Sequence, residues 1–172
     1  MLTPAGYVTG TGEQSMEMAT EESLKAPPQQ WVSFVLGDER YAVDVMRVKE
    51  VLKLVEITPV AGAPNFILGV INLRGSVVTV IDARCRFGLP QYEPDDASRI
   101  ILVDKGLDVV GILVDRVGQV LNISPDDVET TPLQGNGERR TQGVVTIDGE
   151  VIVVADLDRL VPNEGQQMSH EA

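Results

Sequence analysis

The 172-residue chain carries one histidine, His170, third from the C-terminal end, and one cysteine, Cys85. A histidine general base, a Ser-His-Asp triad and a Cys-His dyad all need an imidazole held in a packed interior. A polar C-terminal stretch does not supply one. Zinc-type sites fail on the same count, because they are built from several His and Cys ligands. Carboxylates are the remaining candidates for chemistry, and three adjacent pairs stand out: Asp38-Glu39, Asp95-Asp96 and Asp126-Asp127. Their contexts, Gly37-Asp38, Pro94-Asp95 and Ser124-Pro125-Asp126-Asp127, read as turns and helix caps, where short acidic side chains bond to nearby backbone N–H groups. Neither a G-x-G-x-x-G run nor a P-loop is present to cradle phosphates. Binding rather than catalysis is therefore expected, with no cofactor and no metal. A small carboxylate-dependent enzyme on a β-barrel is the catalytic alternative.

The charge balance points the same way. Lys and Arg total 14 against 26 Asp and Glu, a formal net charge of −12. A surface of that sign repels phosphate, so neither nucleic acid nor an anionic lipid surface is an expected partner. No apolar run approaches the roughly 20 residues needed to cross a bilayer, so no membrane insertion is expected. The N-terminal stretch MLTPAGYVTGTGEQ lacks the basic start and apolar run of a secretory signal. A lone cysteine suits a reducing compartment. A cytoplasmic location is the expectation.

The elements that must position any binding surface are short and valine-rich. Trp31–Leu36, Tyr41–Val45, Gly69–Leu73, Val77–Ile81, Ile100–Val103, Val109–Val114, Val144–Ile147 and Val151–Val154 are β-branched runs bounded by Gly, Pro or Asp. Such spacing predicts an all-β sandwich or barrel, because most of the intervals are too short for crossover helices. Helical pieces are expected only at Val45–Leu52, in the turn after Pro64, and at Asp156–Val161, where Asp156 is a plausible N-cap. Residues 1–29, polar and acidic and ending in Ala26-Pro27-Pro28, are expected to form a disordered arm. Residues 162–172 read as a flexible tail, leaving 30–161 as the folded part.

Within that part the chain repeats itself. Residues 69–82 align without a gap on residues 143–156. The identities are Gly69/Gly143, Val70/Val144, Gly75/Gly149, Val77/Val151, Val80/Val154 and Asp82/Asp156, six of fourteen positions. Each copy reads as strand, tight turn ending in Gly, strand, Asp, which is the pattern of a hairpin. A second match, Val48–Leu52 on Val117–Leu121, preserves the order of elements. Two lobes of similar topology are expected, about 30–95 and about 96–161, with strands free to cross between them. Each is small for independent stability, so an apolar seam should join them.

The segment Ala63-Pro64-Asn65-Phe66-Ile67-Leu68-Gly69-Val70-Ile71-Asn72-Leu73-Arg74-Gly75 resembles the P-x-F-I-x-G-V-x-N-L-R-G signature of the CheW family of chemotaxis adaptors. Supporting pieces are Phe34–Val43, Val48-Lys49-Glu50-Val51, Val80–Arg84 and Gly111–Asp115, in the family's order. The resemblance implies two five-stranded SH3-like β-barrels on a shared hydrophobic core. It implies scaffolding between the regulatory domain of the histidine kinase CheA and the cytoplasmic tips of chemoreceptors, the methyl-accepting chemotaxis proteins, in membrane-bound arrays. A coupling protein of another chemosensory pathway, such as pilus motility, has the same signature. The family's receptor-facing surface falls on Val48, Glu50, Gly69 and Arg74. Val48 could equally be a core valine, and Gly69 could serve only the backbone. Glu50 and Arg74 could pair with each other or reach a partner.

Overall fold

Valine-rich runs separated by glycine turns have few options other than strands, and the computed structural model resolves them as ten among its described residues, 27–130 and 141–162. They are β1 (Gln29–Leu36), β2 (Glu39–Asp44), β3 (Val48–Lys53), β4 (Ile67–Leu73), β5 (Ser76–Asp82), β6 (Arg99–Lys105), β7 (Asp108–Val114), β8 (Arg116–Ile123), β9 (Thr141–Ile147) and β10 (Glu150–Ala155). Two one-turn helices, α1 (Ala83–Arg86) and α2 (Leu157–Leu160), follow β5 and β10. The strands form two five-stranded sheets, ordered β8-β1-β2-β10-β9 and β3-β6-β7-β5-β4. This is the all-β, two-lobed architecture expected. His170, most of the N-terminal arm and nearly all of the C-terminal tail lie outside the described residues. β1 begins at Gln29, one residue inside the expected arm, and Pro162 is buried rather than part of a loose tail.

The two sheet orders map strand for strand, β3-β6-β7-β5-β4 on β8-β1-β2-β10-β9, so β1–β5 is one sequence repeat and β6–β10 the other. Yet neither repeat is a sheet. Each sheet combines the leading hairpin of one repeat with the three trailing strands of the other. The boundary near 95/96 thus separates repeats, not lobes; the second sheet draws on 48–114 and the first on 29–44 and 116–155. The exchange is made at the parallel pairs β2–β10 and β5–β7, neither of which a tight turn connects.

The expected Val45–Leu52 helix is corrected by the structure. A single 3₁₀ turn, Val45–Arg47, is capped by Asp44 accepting from Met46 N at 2.9 Å, and the chain then extends as β3 against β6. Apolar residues at 48, 51 and 52 suit a helix face, but pairing with β6 imposes the strict alternation of half-buried and exposed positions seen along β3. The helix expected after Asp156 is present, with Asp156 accepting from Asp158 N at 3.1 Å.

The apolar seam between the sheets is built from both: Phe34, Leu36, Tyr41 and Val43 meet Phe66, Ile81, Ile101, Val103 and Ile112. Leu157, Leu160 and Val161 close its margin. Smaller cores fill each lobe, around Trp31, Ile123 and Ile152 in one and Ile71, Val80 and Ile100 in the other. Each large side chain buried this way stabilises the fold by about 1.5–3 kcal/mol. The shared seam is therefore what makes lobes of this size stable.

Candidate functional site

The Leu73–Ser76 connection is a two-residue hairpin turn, with Arg74 at φ 49° and Gly75 at φ 85°. Positive φ at both central positions matches the right-handed twist of the flanking strands. Asn72 Oδ1 accepts from Gly75 N at 3.2 Å and fixes the turn. Arg74 is thereby held outward at one extremity of the second sheet. Its Nη2 reaches across to Glu50 on β3, 3.0 Å from Oε2 and 3.4 Å from Oε1. The side chains remain 71% and 36% exposed, so the pair is a surface feature worth at most about 1 kcal/mol. It is presented to solvent, with donors and acceptor lone pairs left over.

The other two residues of the expected surface have different surroundings. Val48 is half-buried, packs on the inter-sheet core and lies opposite Val103. Gly69 is buried at φ 149°, where the chain before β4 crosses it through the reciprocal Thr58–Val70 hydrogen bonds, both 2.8 Å. A Cβ there would overlap the Thr58 carbonyl, so backbone packing alone requires glycine. The hairpin β9–β10 repeats the arrangement: Asp148 at φ 52°, Gly149 at φ 82°, and Gly143 crossed by Glu129 through the Val144 bonds.

The acidic pairs occupy separate turns. Glu39 accepts from the Tyr41 hydroxyl at 2.7 Å, and burial followed by that bond pushes the Tyr41 phenol well above its usual range. Asp95 accepts from the Tyr92 hydroxyl and from Ala97 N, which hold its carboxyl below the ordinary value. Asp126 and Asp127 fall in the 3₁₀ turn that Ser124 caps. Among the described residues no group of His, Cys, Asp or Glu could hold a metal ion, and no helix is long and apolar enough to cross a membrane. Cys85 lies in α1 and packs on the inter-sheet core.

A cluster that sequence reasoning missed joins the two lobes. Arg84 on α1 donates Nε and Nη2 to Asp115 at 2.9 and 2.6 Å, and Nη1 to Pro90 O at 2.9 Å. Asp115 also accepts from Gly37 N in the β1–β2 turn at 2.8 Å. The Tyr92 ring covers the guanidinium at 4.5 Å. Both partners are nearly buried, at 12% and 15% exposure. The bond to Asp115 raises the Arg84 pKa, while for Asp115 burial pushes upward and is outweighed by the Arg84 and Gly37 donors, leaving a lowered carboxyl. The two residues are 31 apart in sequence, and only the β5–β7 pairing, with Asp82 opposite Leu113, brings them together.

Among the described residues, the acidic pairs hold turns, the Arg84–Asp115 pair joins the lobes, and the Glu50–Arg74 pair is displayed on the surface. The profile of the CheW-like domain matches residues 30–165. The chain is 36% identical to chemotaxis protein CheW of Rhizobium meliloti over 138 residues, 79% of this chain and 89% of that one. It is 30% identical to protein FrzA of Myxococcus xanthus, covering 87% of this chain and 98% of that one. The crystal structure of a CheW scaffolding protein from Thermoanaerobacter tengcongensis superposes with a TM-score of 0.74 at 34% identity, over 82% of this chain and 97% of that chain. With ten strands in two matching sheets, and sequence likeness along nearly all of them, the chain belongs to the CheW-like family of chemotaxis adaptors.

Proposed function

We propose that the chain couples the cytoplasmic tips of chemoreceptors to the histidine kinase CheA, working by binding alone at membrane-bound receptor arrays. The receptor-facing surface is centred on Glu50 and Arg74, with Val48 as an apolar shoulder and Gly69 holding the backbone that carries them. The observation that carries this reading is internal: Asp148 occupies the same turn position as Arg74, with φ 52° against 49°. Turn geometry therefore accepts either residue, and a positive charge at 74 is not a folding requirement. The kinase's regulatory domain is the second partner, docked through barrel surfaces.

The test is a reconstituted mixture of receptor fragments, CheA and this protein. Arg74→Asp should leave the melting temperature close to that of the parent while kinase coupling falls strongly. It removes a five-donor guanidinium and places a carboxylate beside Glu50. Asp148→Arg should couple normally. A folded Arg74→Asp protein that couples as the parent does would remove this surface from the reading. A second reading keeps the fold and assigns it to another chemosensory pathway, such as pilus motility; the match along nearly all of FrzA favours keeping it in the test. Exchange of receptor fragments from the two pathways separates them.

A further inference from the structure

Beside the Arg84 cluster lies a trough of about 520 Å³, open to solvent. It is lined by the apolar Ile57, Leu68 and Leu113 together with Tyr92, Glu93 and Asp82. Asp82 is 8% exposed, and its carboxylate accepts from the backbone N–H groups of Arg84 and Cys85. Burial raises its carboxyl pKa, the mark of a poorly solvated charge. The duplicated fold supplies a control. Asp156 caps α2 as Asp82 caps α1, but it also meets Arg159, three residues on, at 3.8 Å. Three residues after Asp82 stands Cys85, which offers no such cation. The neighbouring Arg84 guanidinium is turned to Asp115 and Pro90 instead. Among the described residues, then, Asp82 has backbone donors but no side-chain ion pair.

We propose that this trough docks a lysine side chain presented by a partner protein, its methylenes along Ile57, Leu68 and Leu113 and its ammonium toward Asp82 and Glu93. A four-carbon stem under a compact charge suits a trough lined by both apolar side chains and carboxylates. Arginine fits less well, because Arg84 already lies over the Tyr92 ring that would stack a second guanidinium. The isolated side chain meets the same walls and carboxylates, and a protein-borne lysine is favoured over a free amine by how it is presented. A side chain fixed on a docked protein arrives at high effective concentration. The net charge of −12 favours a basic partner in the same sense.

The test uses the full chain with methyl-labelled Ile and Leu, titrated with Nα-acetyl-lysine methylamide as the probe. Saturable shifts are expected at the Ile57, Leu68 and Leu113 methyls, and none with the same probe acetylated on its ε-nitrogen. Asp82→Asn keeps a capping side chain and removes the charge; it and Glu93→Gln should each weaken binding about fivefold, with Asp156→Asn unchanged. Should Asp82→Asn disturb the fold, Glu93→Gln decides alone. Absence of saturable shifts at these methyls, equal shifts with the acetylated probe, or affinity indifferent to the acidic substitutions overturns the proposal.

Discussion

The β4–β5 and β9–β10 hairpins have the same backbone and different surfaces. Both turn on a positive-φ residue followed by glycine, both are crossed at a buried glycine, and both end in an aspartate that caps a one-turn helix. What differs points outward. Arg74 reaches Glu50, whereas Asp148 stands where the aligned residue on β8 is Gln119. Beside the parallel β2–β10 pair, Arg40 and Glu150 meet at 3.1 Å in the first sheet. The equivalent Val109 and Ser76 leave a cleft of about 420 Å³ in the second, beside the fully exposed Leu107. A duplicated fold thus separates what folding requires, which is kept in both copies, from what it leaves free.

The sharpest way to break that comparison is at the shared positions. Gly69→Ala and Gly143→Ala should each cost about 4 kcal/mol or more, because the added Cβ overlaps a carbonyl held by a two-bond bridge. Denaturant titration of the two variants should give similar losses. A large loss at one glycine only would end the equivalence of the hairpins.

Next is the nearly buried ion pair between the lobes. Arg84→Met leaves Asp115 short of its main partner and should cost about 3 kcal/mol near neutral pH. The lowered carboxyl of Asp115 sets the pH dependence. The contribution of the pair is complete above about pH 5–6, where the unfolded carboxylate is fully ionised, and is lost as pH falls through the lower folded-state value. Stability curves from pH 2 to 7 should show this acid-side loss in the parent and a smaller one in Arg84→Met; identical slopes would show that Asp115 titrates independently of the cluster.

Smaller effects are expected where the copies differ. The exchange Arg74→Asp with Asp148→Arg should change stability by about 1 kcal/mol or less, since both residues sit on exposed turn tips. Smallest of all, Arg40→Val with Glu150→Ser copies the open cleft onto the first sheet and should cost only ~0–1 kcal/mol, both side chains being about half exposed. A cooperative loss well beyond that range in thermal melts would mean the first sheet needs its ion pair to stay closed.

Much of this was legible in the sequence because duplication leaves local marks. The β-branched runs, the hairpin glycines and the Asp156 cap each depend on neighbours a few residues away, and all appear as expected. The β3 strand was not, since Val48-Lys49-Glu50-Val51-Leu52 satisfies helical spacing and only pairing with β6 decides the matter. One-turn α1 is too short to have a periodicity. The exchange of strands between repeats leaves no local trace, because Ala42 meets Val154 through the fold alone. The Glu50–Arg74 pair was within reach of motif reasoning as one of two alternatives. The Arg84–Asp115 cluster was not, because its geometry exists only after both sheets are assembled.

Strand exchange also sets an order of events during synthesis. The second sheet needs only residues 48–114, so it can close while the ribosome is still working. The β1–β2 hairpin, made first, has no sheet until β8, β9 and β10 have emerged, about 40 residues after Val114. At translation rates of about 5–20 residues per second, that leaves Trp31 and Ala42 without Ile123, Val145 and Ile152 for roughly 2–8 s. For that interval the hairpin made before the second sheet is sheltered after it.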